Sequence, residues 1–187
     1  SRPEQGVNAI FPLQYALETL DDINKKLSEK EPHPYLGYAT LHPGLINGGT
    51  AQSVIAAEAT LNWERRTLPG ETQKELDQEL KQVVEAVESA TGDHQVFAKQ
   101  VYSRPPNQSG EDSLIRMLQK ATGNKSYSGM SYWADSALAA QAGIPSVLFG
   151  PAGHGAHAID EWVSESSMIN CYKYLRNFIS NFQITIS

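Results

Sequence analysis

Cysteine is almost absent. Cys171 stands alone, so the chain can close no internal disulfide and build no multi-cysteine zinc site. A lone thiol fits a cytoplasmic location. A basic surplus is missing too: Lys and Arg number 15 against 21 Asp and Glu, for a net charge of −6. Nothing here neutralises a phosphate backbone, so no nucleic-acid partner is expected. No run of about 18 apolar residues occurs, so no membrane partner is expected either. There is no internal repeat, no low-complexity tract and no signal-peptide pattern, and the first residue is Ser1 rather than methionine. The expectation is a processed chain or a piece of a longer one. The rest of the composition is ordinary. With 187 residues, 40% hydrophobic and 19% charged, the chain is long enough for one large domain or two small ones with a real core.

The chain divides at Ser103-Arg104-Pro105-Pro106-Asn107-Gln108-Ser109-Gly110, a polar stretch with two prolines. Before it, Ile10, Leu13, Leu17, Leu20, Ile23 and Leu27 recur at helical spacing, with Pro12 confined to the first turn. Gly37 to His42 reads as a short strand. Val54 to Arg66 reads as a better one, with Ala59, Leu61, Trp63 and Arg65 on one face and Thr60, Asn62, Glu64 and Arg66 on the other. Thr72-Gln73-Lys74-Glu75 is a capping box, and the helix behind it carries Leu76, Leu80, Val83, Val84 and Val87 to Gly92. Gln95 to Ser103 reads as a further strand. This order, helix, strand, strand, helix, strand, lacks one leading strand of a ferredoxin-like split β-α-β. The second half reads as a helix around Leu114 to Ala121, a short helix from Asp135 to Ala142, an apolar strand Ile144 to Phe149, a glycine-rich loop and a last helix capped by Ser164. Its alternation points to part of an α/β sheet.

The loop from Phe149 to Glu161 holds His154, His157, Asp160 and Glu161 directly after that apolar strand. Open α/β sheets bind ligands at the carboxyl ends of their strands, and neutral imidazole is the commonest metal ligand. One loop cannot fill a zinc shell, so solvated histidines remain the competing reading. Asp135 is either an N-cap or an acid at a cleft edge. Arg66 is either a surface arginine paired with Glu64 or a two-pronged grip on a substrate carboxylate. Gly129-Met130-Ser131-Tyr132-Trp133 begins like a nucleophile elbow with His157 downstream, but Trp133 stands where a second glycine is needed. Gly48-Gly49 reads as a hairpin or strand-entry turn rather than a phosphate loop.

Five stretches taken in order resemble one known family. Ser1-Arg2-Pro3-Glu4-Gln5-Gly6-Val7-Asn8-Ala9-Ile10, Ile46-Asn47-Gly48-Gly49-Thr50-Ala51 and Glu64-Arg65-Arg66-Thr67-Leu68-Pro69-Gly70-Glu71 look like the lid, or dimerisation, domain of zinc-dependent aminoacylases and exopeptidases. That family includes acetylornithine deacetylase, succinyl-diaminopimelate desuccinylase and glutamate carboxypeptidase. Trp133-Ala134-Asp135-Ser136-Ala137 and the loop from Gly150 to Glu161 look like the closing motifs of its catalytic domain.

The resemblance implies an α+β lid of ferredoxin-like type over residues 1–103 and the C-terminal segment of an α/β catalytic domain over 104–187. It implies cleavage of the amide of an N-acyl amino acid or small peptide, and a homodimer formed through the lid. It implies two zinc ions, or other divalent metals, with His157 as the single ligand in this chain. Arg66 would bind the substrate carboxylate, Gly150 would line the cleft, and Asp135 would sit at the cleft edge. Ser53 stands where the family usually has an asparagine reaching the partner subunit's substrate, and Ala56 where a proline often follows. The general base, the remaining ligands and the oxyanion-stabilising lid histidine would precede Ser1, so the chain alone is expected to be inactive and to expose apolar surface. Two other readings stand beside this one: a non-catalytic α/β dimerisation module with His157 idle, and a serine hydrolase using Ser131.

Overall fold

In the computed structural model the described residues are 6–92, 95–110 and 112–181. They form helix α1 (Leu13–Ser28), strands β1 (Thr40–Gly48) and β2 (Ala59–Arg66), helices α2 (Gln73–Thr91), α3 (Ser113–Thr122) and α4 (Ser136–Gln141), strands β3 (Gly153–His154) and β4 (Trp162–Val163), and helix α5 (Glu165–Ser180). The architecture is mixed α/β with two small antiparallel sheets, β1-β2 and β3-β4. The chain falls into two compact units. One runs to Pro106 and takes in Gly129–Ser131; the other holds Asn107–Ser128 and the residues from Tyr132 onward.

The first unit has the better core. Ala16, Leu20, Ile23 and Leu27 of α1 meet Ala39 and Leu41 from the β1 side and Val83 and Val87 of α2. Burying each larger aliphatic side chain contributes about 1.5–3 kcal/mol. The predicted stripe on α1 is right in its second half only. Ile10 lies before the helix and is exposed, and Leu17 sits at the rim of the buried face. Pro12 occupies the N-cap position, where its missing N–H costs nothing. On α2 the capping box forms as predicted. Thr72 Oγ1 accepts from the Glu75 backbone N–H at 3.3 Å, and Glu75 Oε2 accepts from the Thr72 N–H at 2.6 Å. Gly92 ends the helix at φ +66°.

Strand β2 alternates half-buried and exposed along its length, as its sequence predicts, although it starts at Ala59 rather than Val54. Strand β1 begins and ends later than predicted. Its ladder with β2 runs Thr40↔Arg66, His42↔Glu64 and Pro43↔Trp63, then slips at Gly44 to Leu45↔Asn62 and on to Gly48↔Ala59. The bulge accommodates a proline and a glycine inside the strand. Gly48 is needed for space: an added Cβ would lie 2.9 Å from Ile10 Cγ1 and 3.0 Å from Ala59 Cβ. Gly49 turns the chain at φ +74°, so the pair closes β1 and opens its connection to antiparallel β2, the hairpin rather than the strand-entry form of the expected turn.

Two predicted strands are corrected. Residues 95–103 and 144–149 form no ladder among the described residues. Composition can favour extended backbone, but a strand exists only when a neighbour takes its hydrogen bonds, and the described strands pair among themselves. Among the described residues the first unit therefore runs helix, two hairpin strands and helix, without the further strand of the expected ferredoxin-like order. The second unit is thinly packed: among its described residues the buried apolar side chains are Ile115 and Ala137. Helix α3 is capped by the Asp112 side chain and ended by Gly123 at φ +70°. The Ser164 hydroxyl caps α5 as predicted, accepting from the Ser167 N–H at 3.3 Å. No residue of α5 is buried, and Met168, Tyr172, Leu175 and Ile179, which recur along it at helical spacing, are exposed. No helix among the described residues is long and apolar enough to cross a membrane.

Candidate functional site

Strand β2 ends in two adjacent arginines that the pleat sends to opposite faces. Arg65 points inward and is 10% exposed. Its guanidinium grips two carboxylates. Nη2 reaches Glu71 Oε1 at 2.5 Å and Nη1 reaches Glu71 Oε2 at 3.2 Å. Nε and Nη2 reach Glu79 Oε2 and Oε1 at 2.8 and 3.0 Å. Burial alone would lower the Arg65 pKa; the hydrogen bonds to Glu79 and Glu71 outweigh it and raise the pKa. Glu71 Oε2 also accepts from the Leu68 N–H at 2.7 Å, which ties the Thr67-to-Glu71 turn to the strand.

Arg66 points outward and is half exposed. Its Nε pairs with Glu64 Oε1 at 2.9 Å, and its Nη1 donates to the Ser131 carbonyl at 2.6 Å. The expected surface pair with Glu64 is thus present, and a backbone carbonyl 65 residues away adds a second anchor. The other Glu64 oxygen faces its register partner His42 across the hairpin, at 3.7 Å from Nε2. Ser53 lies on the exposed turn between β1 and β2, in the same unit as Arg66.

Asp135, Gly150 and His157 belong to the second unit. Asp135 occupies the N-cap position of α4, yet the expected cap is not made. Its backbone is already helical, at φ −59° and ψ −21°, and no side-chain cap hydrogen bond forms. A capping side chain folds back only from an extended backbone. Asp135 is exposed. Gly150 lines a cleft of about 260 Å³ with Phe149, Ser167, Asn170, Cys171 and Tyr174. The loop beyond it is tightly built. Gly153 and His154 pair with Val163 and Trp162, the Ser164 N–H donates to the Ala152 carbonyl at 2.9 Å, and the Ala152 N–H donates to Ser167 Oγ at 2.7 Å.

His157 sits at the tip of this loop, exposed, at φ +69°, the one left-handed non-glycine among the described residues. Its backbone N–H donates to Glu161 Oε2 at 3.3 Å. That brace offsets part of a conformation that costs L-residues about 1–2 kcal/mol. His154 is turned aside, its ring 6.5 Å from Trp162. The fit to a metal fails on the donor set: among the described residues no three His, Cys, Asp or Glu side chains converge. The nucleophile elbow does not form either. Ser131 lies in a bend with no strand before it, and α4 starts only at Ser136.

The Arg65 cluster is the feature that sequence reasoning missed. The alternation of β2 placed Arg65 on the inward face, and an inward charge must find partners; Glu71 and Glu79 were the available signal.

Residues 1–91 match the family model described as the peptidase dimerisation domain, M20_dimer. The first five residues of the entry motif lie outside the described residues. The chain is 26% identical over 187 residues to an acetylornithine deacetylase of Proteus mirabilis, covering 97% of this chain and 48% of the relative. It is 28% identical over 171 residues to an acetylornithine deacetylase of Pectobacterium carotovorum, covering 87% of this chain and 43% of the relative. The chain thus spans about half the length of the curated relatives it matches. A crystal structure of aminopeptidase PepT from Bacillus cereus superposes with a TM-score of 0.65 at 18% identity, over 95% of this chain and 46% of that one, and shows a shared fold.

Proposed function

From a chain that carries the M20 peptidase dimerisation domain and is distantly homologous to the acetylornithine deacetylases, we propose that it is the lid and closing catalytic segment of a metal-dependent amidohydrolase or exopeptidase. Its substrate is an N-acyl amino acid or a small peptide. Residues 1–103 form the lid through which two copies pair, and residues 104–187 complete the catalytic domain. The observation that carries this reading is the similarity to deacetylases across 97% of the chain, through both halves.

Arg66 holds the substrate carboxylate. Its guanidinium is half exposed, already oriented by Glu64 and the Ser131 carbonyl, and retains donors for a planar anion. His157 presents its imidazole from a braced loop to a zinc site. Among the described residues no donor set holds a metal, so no catalytic step is assigned to them. Gly150 lines the cleft beside α5, and Ser53 and Asp135 are assigned to substrate binding on the family resemblance. The test uses the intact gene product. Purified with zinc, it should release acyl groups from N-acyl amino acids, and His157→Ala should abolish release. The 187-residue chain alone should release none. Hydrolysis by that chain alone, or an intact product indifferent to His157→Ala, refutes the proposal.

A further inference from the structure

Gly129, Met130 and Ser131 are flanked on both sides by residues of the second unit, yet these three join the first. They are seated there by a contact only glycine permits. An added Cβ on Gly129 would meet the carbonyl oxygen of Tyr35, and would lie 2.6 Å from Leu36 Cδ2 and 2.8 Å from the Tyr35 carbonyl carbon. The backbone has no room to yield, because the obstacle is another stretch of backbone. Two residues on, the Ser131 carbonyl receives Arg66 Nη1 at 2.6 Å.

A guanidinium carries five N–H donors in one plane. Arg66 commits two of them. Nη1 goes to the Ser131 carbonyl, and Nε goes to Glu64 Oε1 at 2.9 Å. Three donors remain, held in a plane that two separate anchors define. Glu64 is itself located by the β1-β2 register opposite His42. A long half-exposed arginine otherwise loses considerable rotamer freedom when it takes a ligand.

We propose that the Gly129–Ser131 strap, together with Glu64, is a positioning device that pre-orients the Arg66 guanidinium for a carboxylate ligand. The strap acts through its backbone, and its glycine is what allows the Ser131 carbonyl to reach. This inference rests on the assignment of Arg66 as the carboxylate clamp. It gives a role to the Gly129-Met130-Ser131 stretch other than that of a nucleophile.

The test compares N-acetyl-L-alanine with N-acetyl-L-alaninamide, which differs at the carboxylate, by NMR titration of the 187-residue chain. The wild type should bind the acid in preference to the amide. Gly129→Ala and Glu64→Ala should each reduce that preference about tenfold, the loss of one charge-assisted hydrogen bond, and leave amide binding unchanged. Glu64→Gln, which keeps an acceptor oxygen, should restore part of it. A merely structural role would move acid and amide together. If Gly129→Ala fails to fold, the Glu64 pair of variants decides. Arg66→Ala separates the two levels of the reading. If it abolishes the preference while Gly129→Ala and Glu64→Ala keep it, the strap is refuted and the clamp stands. If Arg66→Ala keeps the preference, or the wild type has none, the clamp itself is refuted and the strap with it.

Discussion

Replacing Arg65 with methionine tests the central ion cluster. The side chain of Arg65 is 10% exposed, and those of Glu71 and Glu79 are 13% and 20% exposed. The guanidinium makes four hydrogen bonds to these two carboxylates and a fifth, at 2.9 Å, to the Arg66 carbonyl. Charged hydrogen bonds contribute about 1.5–3 kcal/mol each, and a plain sum would overcount, because carboxylates at the edge of a core regain water once released. The better guide is the roughly 3–5 kcal/mol lost when one partner of a buried pair is removed. The cluster is slightly open, so Arg65→Met should cost about 3 kcal/mol. Arg65→Lys should fall between methionine and wild type, since one ammonium cannot fork onto two carboxylates. The neighbouring Arg66→Met removes a half-exposed pair and should cost less than about 1 kcal/mol. Two units need not unfold together, so the assay follows the first alone. Trp63 packs against its core, and with Trp133 and Trp162 changed to phenylalanine its fluorescence reports urea unfolding there. A loss at Arg65 no larger than that at Arg66 would refute the burial argument.

Three further outcomes are expected. Leu20, 1% exposed at the centre of the core, should cost about 3 kcal/mol as Leu20→Ala, against less than about 1 kcal/mol for Leu17→Ala at the rim; equal losses in the same fluorescence assay would misplace the core. The backbone N–H of Thr72, then its hydroxyl, hold the Glu75 pKa below its ordinary 4.5. Its stabilisation is therefore complete above that value and is lost as pH falls through the lowered folded value, so wild type and Glu75→Gln should differ at neutral pH and converge in acid; parallel melting curves across that range would count against the capping box. Gly123 caps α3 at φ +70° with nothing within 4 Å of an added Cβ, whereas Gly110 has the same open space without a left-handed backbone. Gly123→Ala should cost about 1 kcal/mol and Gly110→Ala nothing measurable by thermal melting, because only the first pays a backbone penalty.

Local signals were legible in the sequence wherever the structure satisfies them locally. The Thr72 capping box, the Ser164 cap, the glycines that end α2 and α3, and the alternation along β2 each involve residues a few positions apart. What could not be read depends on distant partners. Arg65 looked like an interruption of an apolar face, because its carboxylates arrive from the following turn and helix. Pro43 and Gly44 hid the continuation of β1, since a bulge is visible only once the register is known. Asp135 had the right type for a cap but not the extended backbone that a cap requires. Residues 95–103 and 144–149 had strand composition without a neighbour to pair with. Around the candidate site residues, the pair of Arg66 with Glu64 was legible. The left-handed brace of His157 and the carbonyl behind Arg66 were not.

The same distinction explains the uneven packing of the two units. Helix α5 has the periodic apolar face of a core helix, with Met168, Tyr172, Leu175 and Ile179 on it, but no residue of it is buried. Periodicity records what a helix is built to cover; burial records what is there to be covered. In the first unit the two agree, because α1, α2 and the β1-β2 hairpin supply one another's partners. In the second they do not. With Ile115 and Ala137 as the buried apolar side chains among its described residues, that unit gains little against the roughly 1–2 kcal/mol of backbone entropy that each ordered residue costs. Its loop around His157 is accordingly held by hydrogen bonds and a two-residue ladder rather than by a core. Native-state hydrogen exchange should show this directly: amides of α1 and α2 protected far more strongly than those of α5. Equal protection would mean that α5 is stabilised by something other than the packing described.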